Sequence, residues 1–150
     1  MRFCFVWVGK TKEKNWKALQ EEYLRRLSHF VKCEIVEVKD SSQKDSRQSE
    51  SQRILEILNQ RSFVCLLDVN GKNLTSPDLA AQIEKWQVRG IKEITFVVGG
   101  AEGVSTEISQ MADFSLSLSI LTFTHEMARV VMLEQLYRAY TIIKGFPYQK

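Results

Sequence analysis

A chain of 150 residues and 17.4 kDa, 44% hydrophobic and 26% charged, has the size and apolar content of one domain around one core, which excludes disordered and fibrous classes. No apolar run approaches the roughly 18 residues of a membrane helix, and Met1-Arg2 leads directly into Phe3–Val8, too short and wrongly flanked for a signal peptide. A single cytoplasmic domain spanning 1–150 is therefore expected, with a net charge of +3 that permits nucleic-acid binding without requiring it.

Arg2–Val8 is aromatic and β-branched and reads as a first strand ended by Gly9. Lys10, Lys12, Lys14 and Lys17 follow at its carboxyl end, the edge where α/β sheets face ligands, so they either meet phosphates or form a solvated face. Trp16, Leu19, Tyr23, Leu24 and Leu27 carry helical spacing, and Arg25-Arg26 suit the negative end of that helix. Cys33–Val38 is a short second strand. Lys39–Ser51 contains no apolar residue and predicts a mobile linker.

Ile54–Leu58 gives a short helix and Ser62–Asp68 a continuous apolar strand, as in a parallel sheet covered on both faces. Asn70-Gly71 would mark a hairpin turn, but no partner strand follows it. Ser76 is the expected N-cap of the next helix, with Pro77 at its first position, Arg89 near its end and Gly90 as its stop. Glu93–Val98 is a fourth strand, Ser105–Met111 a short helix and Phe114–Leu118 a fifth strand. Thr124 caps a long helix from His125 to about Ile143, ended by Gly145 and Pro147. Alternating strands and helices predict an α/β fold with a mainly parallel sheet and flanking helices.

The last helix lacks a full polar stripe, since Val130–Leu133, Leu136, Tyr137, Tyr140 and Ile143 surround it. Such a helix has a second buried face, which predicts a partner subunit against it. Cys4, Cys33 and Cys65 each lie in an apolar run and are expected as buried, reduced thiols. With His29 and His125 as the only histidines and no Cys-x-x-Cys pair, no metal site is expected.

Chemistry concentrates between Glu93 and Arg129. Gly99-Gly100-Ala101-Glu102-Gly103 lacks the spacing of a dinucleotide fingerprint, and no Walker lysine pattern or nucleophile elbow occurs. These glycines allow close approach of backbone to ligand or simply a tight turn. Glu102 at a helix entrance has a structural role by default. Between Ser115 and Thr124 hydroxyls alternate with apolar residues, which suits an adenine-bearing cofactor if the segment is a loop and plain core if it is a strand.

The motifs Phe5–Lys10, Glu22–Leu27, Leu66-Leu67-Asp68 with Gly71-Lys72, Val98–Gly100 with Gly103, Leu121-Thr122-Phe123 with His125 and Arg129, Glu134–Ala139, and the terminal Pro147-Tyr148 with Lys150 occur in order along the whole chain. In this it closely resembles the RlmH (YbeA) family. Those proteins are SPOUT-class methyltransferases that use S-adenosyl-L-methionine (SAM) to methylate N3 of a pseudouridine in large-subunit ribosomal RNA.

The resemblance implies an α/β trefoil knot, which general topology rules would argue against, and a homodimer acting on the assembled ribosome. It places SAM among Leu67, Gly99, Leu118, Ser119, Ile120, Leu121, Thr122 and Phe123. Catalytic work falls to Tyr148, Arg138 and Lys150 of the C-terminal region, with His125 packing beside the cofactor or serving as a base. Relatives commonly carry histidine where this chain has Gln149, which cannot accept a proton at neutral pH. A second reading follows from that departure, a non-catalytic RNA or ribosome-binding protein that retains the fold.

Overall fold

The computed structural model describes residues 1–40, 46–61, 63–100 and 103–148. Ten elements alternate: β1 (Arg2–Val8), α1 (Lys14–Leu27), β2 (Lys32–Val38), α2 (Ser46–Leu58), β3 (Val64–Asn73), α3 (Ser76–Val88), β4 (Glu93–Val98), α4 (Thr106–Met111), β5 (Phe114–Ser117) and α5 (His125–Lys144). The five strands form one sheet in the order β2-β1-β4-β3-β5, and every pairing is parallel. The expected α/β class and parallel sheet are what the chain adopts.

The period of two in β1 divides the core. Phe3, Phe5 and Trp7 face a layer that includes Leu27, Trp86, Met132, Leu136 and Tyr140 from α1, α3 and α5. Cys4, Val6 and Val8 face Ile54, Leu58 and Ile108 from α2 and α4. The bulky rings thus meet the three-helix layer and the small side chains the two-helix layer. Phe3 and Phe5 each pack on Phe96 of β4, at ring-centroid distances of 5.1 and 5.6 Å. Long α5 lies between α1 and α3 and against β4, which explains the apolar character of three of its sides. Its outward strip carries half-buried Met127, Val131, Glu134, Gln135 and Arg138 and the exposed Ile142.

All three cysteines are free thiols. Burial pushes Cys4 and Cys33 each up to about 11 and Cys65 further in the same direction, so at neutral pH they are protonated packing groups rather than nucleophiles.

Three local expectations are corrected. The segment expected as a linker to Ser51 is helical from Ser46. Its anchor is polar rather than apolar: buried Ser51 accepts from the Ser105 N–H at 2.9 Å, and Arg53 donates to the Lys39 carbonyl at 2.7 Å. Residues 41–45 of the expected linker lie outside the described residues. Thr75, not Ser76, caps α3. It accepts from the Asp78 N–H at 3.2 Å while Asp78 Oδ2 accepts from the Thr75 hydroxyl at 2.6 Å, and the capping box leaves Ser76 free to donate to Gln135 on α5 at 2.6 Å.

The third correction positions the site. The strand expected to end at Asp68 runs on to Asn73, and Asn70-Gly71 lies in a jog of it, where Leu67 and then Lys72 oppose the same residue, Leu116 of β5. Asp68 Oδ1 accepts from the Asn70 N–H at 2.9 Å and shapes the excursion. A Cβ on Gly71 would lie 2.7 Å from the Ser115 carbonyl carbon and 2.9 Å from the Asp68 oxygen, so only glycine lets the two backbones pass. Gly71→Ala is expected to cost about 2 kcal/mol or more, the range for steric strain in a packed site. Urea denaturation measures it, and an unchanged midpoint would show that the jog relaxes freely.

Candidate functional site

At the carboxyl ends of β3, β4 and β5 the sheet opens into a cavity of about 670 Å³, within the size range of cofactor sites. One wall is the β3 jog, Leu67, Asp68 and Val69. A second is the β4 end, Val98, Gly99 and Gly100 with Gly103 and Val104. The third is the segment after β5, Leu118, Ser119, Leu121, Thr122 and Phe123, continued by Thr124, His125 and Ala128 at the start of α5; Ser109 of α4 completes the lining.

Of the residues expected to hold a cofactor, Leu67, Gly99, Leu118, Ser119, Leu121, Thr122 and Phe123 are brought together here, and His125 joins them. Ile120 is not in the lining and is 81% exposed. Ala101, Glu102, Gln149 and Lys150 lie outside the described residues.

Three of the hydroxyls that drew attention in the sequence, those of Ser117, Ser119 and Thr124, are spent on the loop itself. Ser117 donates to the Ser119 carbonyl at 2.9 Å, Ser119 Oγ accepts from the Leu121 N–H at 3.0 Å, and Thr124 Oγ1 caps α5 through the Met127 N–H at 3.3 Å. Fixed this way, the loop presents main-chain groups and apolar walls, the kind of surface that recognises a purine edge and face. The glycines also have a packing explanation. A Cβ on Gly99 would lie 2.9 Å from Val104 Cγ1 and 3.1 Å from the Gly103 carbonyl carbon, and one on Gly100 would lie 2.9 Å from Glu50 Oε2. Gly99 lets the turn close on itself, as does Gly103 at φ +77°, and Gly100 makes room for the Glu50 side chain of α2.

The first turns of α5 tie this cavity to the segment between β1 and α1. Glu126 Oε1 accepts from the Lys12 and Glu13 N–H groups, at 3.0 Å each. Fully buried Arg129 donates to the Val8 carbonyl and, at 3.0 Å, to Thr11 Oγ1; Thr11 in turn donates to Gln20. The Arg129 guanidinium also sits 4.9 Å from the centre of the Trp7 ring. Burial pulls its pKa down to about 10, opposed by the charges of Glu126, Glu37 and Asp40, and it stays cationic at neutral pH. His125 Nε2 stands 3.9 Å from Glu126 Oε2.

Arg138 and Tyr148 occupy the other end of α5. Thirteen residues of helix separate Arg138 from His125, about 20 Å at 1.5 Å per residue. Glu134 organises them: it pairs with Arg138 at 2.6 Å and accepts from the Tyr148 hydroxyl at 3.2 Å. The Arg138 guanidinium lies 4.5 Å from the Tyr148 ring centre, and that ring meets Tyr137 edge-on at 4.8 Å. The bond to Glu134 raises the Arg138 pKa. Burial, then the Tyr23 and Glu134 contacts, push the Tyr148 phenol well above its ordinary value. These groups work as a fixed cation and a protonated donor. Within one chain they do not meet the cavity.

The family model described as predicted SPOUT methyltransferase matches residues 1–149. The chain belongs to the SPOUT methyltransferase family. Among relatives of this SPOUT protein, ribosomal RNA large subunit methyltransferase H of Acetivibrio thermocellus is 41% identical over 159 aligned positions, covering 100% of both chains. The protein of the same name from Oenococcus oeni is 43% identical and covers 95% of each. In fold, it resembles a probable methylase family protein from Haemophilus influenzae, with a TM-score of 0.61 at 13% identity over 99% of this chain and 70% of that one. A protein from Legionella pneumophila solved with SAM bound aligns with a TM-score of 0.51 at 12% identity, over 93% of this chain and 66% of that one.

For this SPOUT protein, sequence reasoning missed Asp68, Val69 and Ser109 at the cavity and the structural parts of Glu126, Arg129 and Glu134. The Asn70-Gly71 pair was the available signal for the first two. Among the described residues no group of three His, Cys, Asp or Glu side chains is arranged for a metal ion. Arg129→Ala removes the donors to Val8 and Thr11 and opens a void beneath Trp7. It is expected to destabilise the protein by about 3 kcal/mol. A loss below about 1 kcal/mol in urea denaturation would show that this buried guanidinium contributes little.

Proposed function

We propose that this chain is a SAM-dependent methyltransferase of large-subunit ribosomal RNA that modifies N3 of a pseudouridine in the assembled ribosome. It acts in the cytoplasm as one domain and as a homodimer, with an α/β trefoil knot in which a C-terminal segment is threaded through a loop. The observation that carries this reading is the cavity at the β3, β4 and β5 ends, built by Leu67, Gly99 and the 118–123 loop in a chain that matches relatives named ribosomal RNA large subunit methyltransferase H over its whole length.

The lining suits such a cofactor. Leu67, Val98, Leu118, Leu121 and Phe123 give apolar walls, and the Gly99 and 118–123 main chain gives hydrogen-bonding edges. When bound, SAM supplies a sulfonium methyl group for in-line attack by a nitrogen nucleophile. The imide nitrogen of a pseudouridine must first lose its proton, and the resulting negative charge is spread over the ring carbonyls. Arg138, held by Glu134, and Lys150 oppose that charge, while the Tyr148 hydroxyl donates a hydrogen bond or the ring stacks on the base. Among the described residues Asp68 and His125 are the ionisable side chains on the cavity wall, and His125 is the imidazole able to take the proton.

The separation of some 20 Å along α5 supports a dimer in which the Arg138 and Tyr148 end of one subunit meets the cavity of the other. The half-buried outer strip of α5 offers the surface for that contact. Isothermal calorimetry with SAM and transfer of labelled methyl from SAM to intact ribosomes test the proposal. Binding and stoichiometric incorporation are expected. Absence of both would favour the non-catalytic ribosome-binding reading, for which the replacement of the usual tail histidine by Gln149 speaks.

A further inference from the structure

The segment 10–17 plays no part in the chemistry above, yet it is the most densely cationic stretch beside the cavity. Lys10, Lys12, Lys14 and Lys17 are all exposed. Among the described residues Lys12 pairs only with Asp40, at 3.8 Å, and both side chains are largely in solvent, a weak pairing. Among the described residues no ion pair involves Lys10, Lys14 or Lys17. Glu13 spends its carboxylate as the α1 N-cap, accepting from the Trp16 N–H at 2.8 Å, so it does little to neutralise them. Lys14 and Lys17 stand three apart on the first turns of α1 and share a face.

A loose lysine loop would signify little. This one is immobilised by the same helix turns that wall the cavity. Glu126 holds the Lys12 and Glu13 N–H groups, and Arg129, three residues on, holds Val8 and Thr11. Between them stands Ala128, and before them His125, both on the cavity wall. The sequence therefore uses one buried cation and one carboxylate to lock a cationic segment in register with a cofactor-sized cavity. We infer that Lys10–Lys17 is the surface that takes the RNA backbone beside the cavity. This rests on the ribosomal RNA methyltransferase reading above.

Phosphate contacts of this kind set affinity and its salt dependence but not the chemical step. The test uses a variant with Lys10, Lys12, Lys14 and Lys17 all changed to Gln, and a second with all four changed to Arg. Methyl transfer to ribosomes is followed with labelled SAM as salt is varied. The Gln variant is expected to raise KM for ribosomes about tenfold or more and to flatten the log-log salt slope by about three. Its kcat should stay within about twofold and its SAM affinity unchanged; the Arg variant should recover the wild-type KM. A Gln variant with wild-type KM and salt slope would overturn the inference while leaving the methyltransferase reading standing. Failure of wild-type protein to transfer methyl at all would instead overturn that reading.

Discussion

The architecture turns on α5, a single helix of 20 residues that has the cavity at its start and an aromatic and cationic cluster toward its end. A helix has a fixed rise, so nothing short of breaking it can bring Arg138 to the cavity of its own chain. Its first turns bind the β1–α1 segment through Glu126 and Arg129, its middle fills the groove between α1 and α3, and its Glu134 fixes Arg138 and Tyr148. The helix is thus a rigid spacer between a cofactor-sized cavity and a site suited to stabilising negative charge. That spacing makes a composite site between two subunits the simplest way to use both.

The arrangement also explains how a small protein can build a cofactor-sized cavity with few residues dedicated to it. The loop after β5 uses its own Ser117, Ser119 and Thr124 hydroxyls to hold its shape, which leaves main chain and apolar surface facing inward. The β3 jog, possible because Gly71 lacks a Cβ, carries Asp68 and Val69 to the same cavity. Each feature is a local backbone solution placed at the carboxyl edge of a parallel sheet, where strand ends converge on ligands.

Much of this was legible in the residues. The aromatic and β-branched run of β1, the continuous apolar run of β3 and the capped start of α5 led to the observed sheet and helices, because burial on two faces leaves a direct imprint on composition. The missing polar stripe of α5 led to the expectation of a partner subunit, whereas packing on α1, α3 and β4 within one chain already accounts for most of it. The start of α2 was illegible because its anchor is a hydrogen bond from Ser105 to Ser51, and polar anchoring leaves no hydrophobic period. The β3 jog was missed, and the strand ended at Asp68, because Asn70-Gly71 signals a turn without saying what the chain does afterwards. Glu126 and Arg129 look like ordinary surface charges until the fold brings Val8, Thr11 and Lys12 to them, contacts that no spacing rule within one helix can reveal.

The central claim, that the cavity of one subunit works with the Tyr148 and Arg138 end of another, is tested most directly by coexpressing two inactive variants. Gly99→Val wrecks the cavity wall and leaves the tail intact; Tyr148→Ala removes the tail group and leaves the cavity intact. Random pairing in an isologous dimer would recreate one complete site in each mixed dimer, so methylation is expected at about a quarter of the wild-type rate, from two variants that are inactive alone. Coexpressed variants as inactive as either one alone, in preparations shown to contain mixed dimers, would contradict the account.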